Sequence, residues 1–160
     1  MMIKAGDKLP EGSLKKMGVN GPEDISLAAL SKGRKIVIFS LPGAYTPTCS
    51  AKHVPSFVAH YDALKAAGVD EIICFAVNDC FVMDAWGKAQ GVGDKITMLA
   101  DGSGAYTKIL GLELDLVAAG LGMRGQRYAM IVNDGTVAHL AVEEGGAYDV
   151  SSAESVLAAL

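Results

Sequence analysis

Two continuous apolar runs constrain this chain most. Ile36-Val37-Ile38-Phe39-Ser40-Leu41 and Glu71-Ile72-Ile73-Cys74-Phe75-Ala76-Val77 are of strand length, and neither alternates polar with apolar residues. A strand with one face in water alternates. A strand covered on both faces does not, and such strands belong to sheets flanked by helices on both sides. Between the runs lies a helical pattern from about Pro47 to Ala67, closed by Gly68, in which Val54, Phe57, Val58, Tyr61 and Leu64 form one apolar stripe. Pro55 lies inside that pattern and removes a backbone donor, which predicts a kink or break there.

The rest of the chain continues the alternation. A helix is expected from about Phe81 to Gln90, a strand from Lys95 to Leu99, and a short helix from Ala105 to Leu110 that stops at Gly111. Tyr128 to Val132 and Val137 to Val142 flank Asn133-Asp134-Gly135-Thr136, whose Asp-Gly pair is a strong hairpin signal. Ser151 to Leu160 reads as a terminal helix capped by Ser151 or Ser152. This order predicts an α/β fold of three layers, a central mixed sheet flanked by helices, in one domain spanning residues 1–160. The 160 residues, 51% hydrophobic and 20% charged, are enough for one substantial core. A net charge of −4 with no Lys/Arg cluster excludes a nucleic-acid or anionic-membrane surface. No run has transmembrane length and Met1 to Asp7 lacks a signal-peptide core, so a cytoplasmic protein is expected.

The chemistry concentrates at Cys49. It follows the first apolar run through Pro42-Gly43-Ala44-Tyr45-Thr46-Pro47-Thr48, a Pro/Gly-rich turn leading into the helical pattern. Thr46 suits an N-cap and Pro47 the first helical position, which puts Cys49 in the first turn. There the unpaired N–H groups and the positive end of the helix dipole favour an anion, and the thiolate is the reactive form of cysteine. The alternative for Cys49 is a structural half-buried cysteine. The chain has three cysteines and no C-x-x-C, so neither a thioredoxin-type dithiol nor a zinc knuckle is written in it. Cys74 lies mid-strand, where a free cysteine behaves as a small hydrophobe, and Cys80 begins a helix without a comparable frame. His53 stands four residues after Cys49 on the same helix face. A packing or surface role is the plainer reading for it, as for His60 and His139. Arg127 opens the hairpin, and composition alone gives no reason to single it out. No local carboxylate completes a metal site, and no metal or organic cofactor is expected.

Pro42-x-x-x-Thr46-x-x-Cys49 resembles the peroxidatic-cysteine motif of the peroxiredoxins, and the wider text resembles their atypical peroxiredoxin-5 or type II branch. The resemblance runs through Phe39 to Ser50, Lys52-His53-Val54-Pro55, Val77-Asn78-Asp79 with Trp86, Leu99 to Gly102, Gly111 to Asp115 and Arg124 to Val132. It implies a thioredoxin-like fold with the reactive cysteine at the start of the helix after a central strand. It implies a thiol peroxidase acting on hydrogen peroxide and alkyl hydroperoxides. In that scheme Cys49 attacks the terminal peroxide oxygen, Thr46 holds thiolate and substrate in line, Pro42 shields the site from water, and Arg127 stabilises the thiolate and polarises the peroxide.

Regeneration is where the chain departs from the family's animal members, which carry a resolving cysteine near the C-terminus. Gly145 to Ser152 contains none. Cys74 matches a cysteine of plant-type members and Cys80 stands where proline is common; these two are the candidate resolving residues. A buried Cys74 is poorly placed for a disulfide with Cys49 unless the helix opens. The expected reductant is therefore an external thiol: glutathione caps the sulfenic acid and glutaredoxin or thioredoxin exchanges it away. A homodimer packed near the site is also implied. A different class of function, a redox-sensing or chaperone-like interaction module, would use the same reactive cysteine, and a cysteine acyl hydrolase would need His53 as its base.

Overall fold

A computed structural model describes residues 1–160. The two apolar runs become β3 (Lys35–Ser40) and β4 (Glu71–Ala76), which pair in parallel with Phe39 opposite Cys74. They occupy the middle of a seven-stranded mixed sheet. The other strands are β1 (Leu14–Gly18), β2 (Gly21–Ile25), β5 (Thr97–Ala100), β8 (Tyr128–Asn133) and β9 (Thr136–Val142), and the order across the sheet is β2-β1-β5-β4-β3-β8-β9. Strands β3, β4 and β5 are parallel, and β8 runs antiparallel to β3. Every residue of β3 and β4 after the first is buried, as unbroken apolar runs demand.

Alternate side chains of these strands enter two separate cores. On one face Val37, Phe39, Ile72, Cys74, Ala129 and Ile131 pack under the helices that follow β3 and β4 and under the C-terminal helix, α6 (Ala153–Ala159). On the other, Ile36, Ile38, Ile73, Phe75, Tyr128 and Met130 meet α1 (Leu27–Leu30) and α5 (Ala105–Leu110). The result is the expected three-layer, thioredoxin-like α/β fold.

Several boundaries differ from the sequence reading. The helical stretch from Pro47 is not one helix. Two helical residues lead into a π-helical turn, Cys49–His53, followed by α2 (Val54–Ala59) and, after a break at His60, α3 (Tyr61–Ala66). Pro55 falls in the first turn of α2, where its missing donor costs least, so the irregularity lies before the proline and again after it. The hairpin β1–β2 was not legible, because Lys15-Lys16 and, on the edge strand, Glu23-Asp24 are exposed and give no apolar signal. A second small hairpin, β6 (Glu113–Leu116) with β7 (Gly122–Gly125), was likewise unforeseen; a single 3₁₀ turn, Val117–Ala119, fills its loop. Helix α4 (Cys80–Ala89) lies one residue before its expected place, with Asp79 Oδ1 accepting from Val82 N at 2.8 Å as its cap. Asp134 and Gly135 both have positive φ, 48° and 78°, as a tight two-residue hairpin turn between β8 and β9 requires.

Candidate active site

The site lies where β3 gives way to helix. Leu41 is still buried, and the chain then reverses through Pro42 to Tyr45 before the helix opens at Pro47. Tyr45 has φ 66°, a left-handed conformation that is rare for a bulky residue. Three side-chain hydrogen bonds hold this turn, beside a backbone one from Thr46 N to Gly43 O at 3.4 Å. Ala44 N donates to Asn78 Oδ1 at 2.9 Å, Thr46 Oγ1 donates to Gly43 O at 2.8 Å, and Arg124 Nη1 donates to Pro42 O at 3.1 Å. Thr46 occupies the N-cap position, and its carbonyl accepts from Ser50 N at 3.1 Å. Its hydroxyl does not cap. Donating to Gly43 O, it keeps its lone pairs available, so the proposed N-cap role passes to the backbone alone.

Cys49 is fully buried at the start of the π-helical turn, whose widened bonding runs from Val54 N back to Cys49 O. Trp86 of α4 pins this turn, Nε1 donating to Ser50 Oγ at 3.1 Å. Arg127 directly precedes β8, the strand beside β3 in the sheet. Tyr128 pairs with Ser40, so the residue before β8 arrives beside the end of β3, beneath the helix start. There Arg127 Nη2 donates to Cys49 Sγ at 3.2 Å. Arg127 is itself buried, and its Nε has no hydrogen-bond partner.

His53 supplies what sequence reasoning missed. Arg127 Nη1 lies 2.9 Å from His53 Nδ1, and His53 Nε2 lies 3.0 Å from Ser151 O. A guanidinium can only donate and a carbonyl only accept, so Nδ1 is the bare acceptor and Nε2 carries the hydrogen. The ring is packed among Phe39 (4.9 Å between centroids), Tyr148 (5.3 Å) and Phe57 (5.8 Å). That burial, reinforced by the neighbouring Arg127 charge, pushes its pKa down to about 3, so the imidazole is neutral. Behind it, Glu143 Oε2 accepts from Asp149 N (2.6 Å), Ser151 N (2.9 Å) and Ser151 Oγ (2.6 Å). Burial alone would raise the Glu143 carboxyl, but the Ser151 and Asp149 donors outweigh it and hold the carboxyl below its ordinary value. A continuous chain thus runs from Glu143 through Ser151, His53 and Arg127 to Cys49. Cys49 and Arg127 are the two members the sequence resemblance implies; for His53 the only signal was its four-residue spacing from Cys49, and Glu143 and Ser151 are too distant in the chain to give one.

Cys49, Arg127 and His53 are therefore in direct or single-step contact, and Pro42 and Thr46 belong to the turn immediately before the helix. Cys74 and Cys80 stand apart from this bonding. Cys74 is wholly buried in β4; burial, with Cys49 nearby, raises its thiol pKa well above the ordinary value. Cys80 is the first residue of α4 and is 6% exposed. All three cysteines are free.

A thioredoxin-like sheet with a buried thiol at a helix start, bonded to an arginine, defines a class of thiol redox protein. The family model described as Redoxin matches residues 4–157. Peroxiredoxin-2B of Arabidopsis thaliana is 48% identical over 159 residues, covering 99% of this chain and 98% of that protein. Among solved structures, reduced Prx3 of Vibrio vulnificus in complex with H2O2 is 47% identical with a TM-score of 0.95, covering 99% of both chains. Peroxiredoxin 5 of Alvinella pompejana is 34% identical with a TM-score of 0.86, covering 98% of this chain and 96% of that one. The chain belongs to the redoxin family and, within it, to the type II peroxiredoxins, which are thiol-dependent peroxidases.

Proposed function

We propose that Cys49 is the peroxidatic residue of a peroxidase that depends on an external thiol. The observation that carries this reading is the Arg127 Nη2 donor 3.2 Å from Cys49 Sγ, placed where it stabilises a thiolate as the attacking form. The thiolate attacks the terminal oxygen of a hydroperoxide, the O–O bond breaks, and water or an alcohol leaves after taking a proton. Cys49 becomes a sulfenic acid. The Thr46 oxygen, its own proton committed to Gly43 O, accepts the peroxide hydrogen and aligns the O–O bond. Arg127 Nε, buried without a partner, is a donor for the oxygen on which charge develops. Pro42 closes the turn over the thiol and limits water.

Regeneration by glutathione, with glutaredoxin or thioredoxin completing the cycle, follows from the state of the other two cysteines. Cys74 and Cys80 are both buried, and Cys74 is held protonated. The sulfenic acid reacts with a glutathione thiol to release water and leave a mixed disulfide, which a second thiol reduces. Glutathione is much larger than a peroxide and Cys49 has no exposed surface, so the π-helical turn must open for this step. A reducing compartment such as the cytoplasm suits the cycle. The exposed apolar side chains Tyr45, Phe81, Leu121 and Met123, on segments around the Pro42 turn, favour a homodimer over this face. Mass spectrometry of peroxide-treated protein tests the reductant. An adduct of glutathione on Cys49 is expected, whereas a Cys49–Cys74 or Cys49–Cys80 disulfide would overturn the external-thiol route.

A further inference from the structure

We propose that Arg124 is a positioning residue for the peroxide pocket, clamping the Pro42–Thr46 turn from the β6–β7 hairpin, and that Gly43 is glycine to admit its guanidinium. The inference rests on the reading that this turn lines the pocket. Tyr45 makes the turn intrinsically unfavourable, since its left-handed φ of 66° costs free energy that surrounding contacts must offset. Of the three side-chain restraints, one comes from the loop after β4 and one from within the turn. Asn78, two residues past the end of β4, accepts from the Ala44 N–H, and the Thr46 hydroxyl donates to the Gly43 carbonyl. Arg124 supplies the third from outside the main sheet. Its Nη1 donates to Pro42 O at 3.1 Å, and its Nε donates to Leu121 O at 2.8 Å, which fixes the direction of the planar group.

Gly43 gives an independent indication. Its φ is not positive, so conformation does not demand glycine there. Space does. A methyl group on Gly43 would overlap Arg124 Nη1, and the next nearest atoms are Arg124 Cζ and Asn78 Oδ1, both at 3.5 Å. The obstructing atom is the end of a flexible side chain, so alanine would displace the guanidinium without disturbing the sheet. Arg124 therefore acts on the turn through the Pro42 carbonyl, while Arg127 bonds the sulfur directly and is held by a separate contact to His53. The two arginines divide the work: one sets thiolate charge, the other sets the shape into which the peroxide fits.

The test measures oxidation of reduced protein by hydrogen peroxide through the fluorescence of Trp86, the single tryptophan, beside alkylation of Cys49 by iodoacetamide at the same pH. Loss of a charged hydrogen bond at a partly exposed site predicts that Arg124→Ala slows oxidation about tenfold. Alkylation needs the thiolate and an opening of the turn over the buried sulfur but no alignment of an O–O bond, so it does not slow in this variant. Gly43→Ala gives the same selective loss, and the double variant is no slower than either single one, because both remove one contact. Arg124→Lys, which reaches Pro42 O without also bonding Leu121 O, falls between. Hydrogen exchange of the Ala44 amide, read without any substrate, accelerates in Arg124→Ala. Unchanged oxidation, an equal loss of alkylation, losses that multiply in the double variant, or an unchanged Ala44 exchange rate would each overturn the proposal. Slow oxidation of the unaltered protein would instead count against the peroxidatic reading of the site, and the exchange measurement would still decide whether Arg124 holds the turn.

Discussion

Burying a neutral histidine against an arginine makes the fold sensitive to mild acid. In the folded protein His53 titrates at about 3, against 6.5 for an ordinary histidine, because burial and then the Arg127 charge disfavour its cation. Below pH 6.5 the unfolded chain takes up a proton that the folded chain refuses, so stability falls as pH falls from about 6.5 toward 3 and is level above that window. The slope is about 1.4 kcal/mol per pH unit. At pH 5 the folded state should therefore be roughly 2 kcal/mol less stable than at pH 7.5, an amount that depends only on the folded value lying well below 5. For a chain of this size that is a fall in Tm of about 6 °C. The structural reason is direct. Protonation at Nδ1 would remove the acceptor of Arg127 Nη1 and place two cations 2.9 Å apart among aromatic rings. Thermal unfolding would be recorded at pH 7.5, 6 and 5 for the unaltered protein and for His53→Gln, which keeps an acceptor and a donor but cannot titrate. The variant will start less stable, having lost its aromatic packing, yet its Tm should hardly change across this range. Parallel pH profiles for the two proteins would refute the argument.

Other outcomes follow from the same geometry. Cys49→Ser should abolish peroxide consumption, while Cys74→Ala and Cys80→Ser retain most of it; a coupled assay with glutathione and glutaredoxin reads this. Arg127→Gln should slow oxidation by peroxide on the order of a hundredfold, as removal of a donor to developing charge does elsewhere, and should slow iodoacetamide alkylation as well. Glu143→Gln weakens three hydrogen bonds to the 149–151 segment. A loss of about 2 kcal/mol in urea unfolding, with faster proteolysis near Gly145-Gly146, is expected. Phe57→Ala, which removes a ring stacked 4.1 Å from Phe39, should cost about 3–5 kcal/mol.

The apolar runs that became β3 and β4 were legible because burial on both faces imposes an unbroken pattern that needs no partner to be recognised. The Asp134-Gly135 turn was legible because positive φ is a local demand. Edge elements were not. Strands β1 and β2 are stabilised mainly by pairing, and their largely exposed side chains carry no periodicity. The helix after Cys49 shows the limit from the other side. Its apolar stripe was visible, but a shift from α to π bonding changes which carbonyl each N–H meets and leaves the stripe almost intact.

By itself, the sequence determined that a cysteine would lie at a strand-to-helix junction, because the apolar run, the turn residues and the Thr-Pro opening all act over short range. Only the tertiary structure decided what surrounds that sulfur. Arg127 reaches it because β8 pairs antiparallel with β3, and His53 becomes an acceptor because Ser151 closes on its other nitrogen. Contacts between residues 74 or more positions apart leave no local trace, since nothing in either segment alone requires the other.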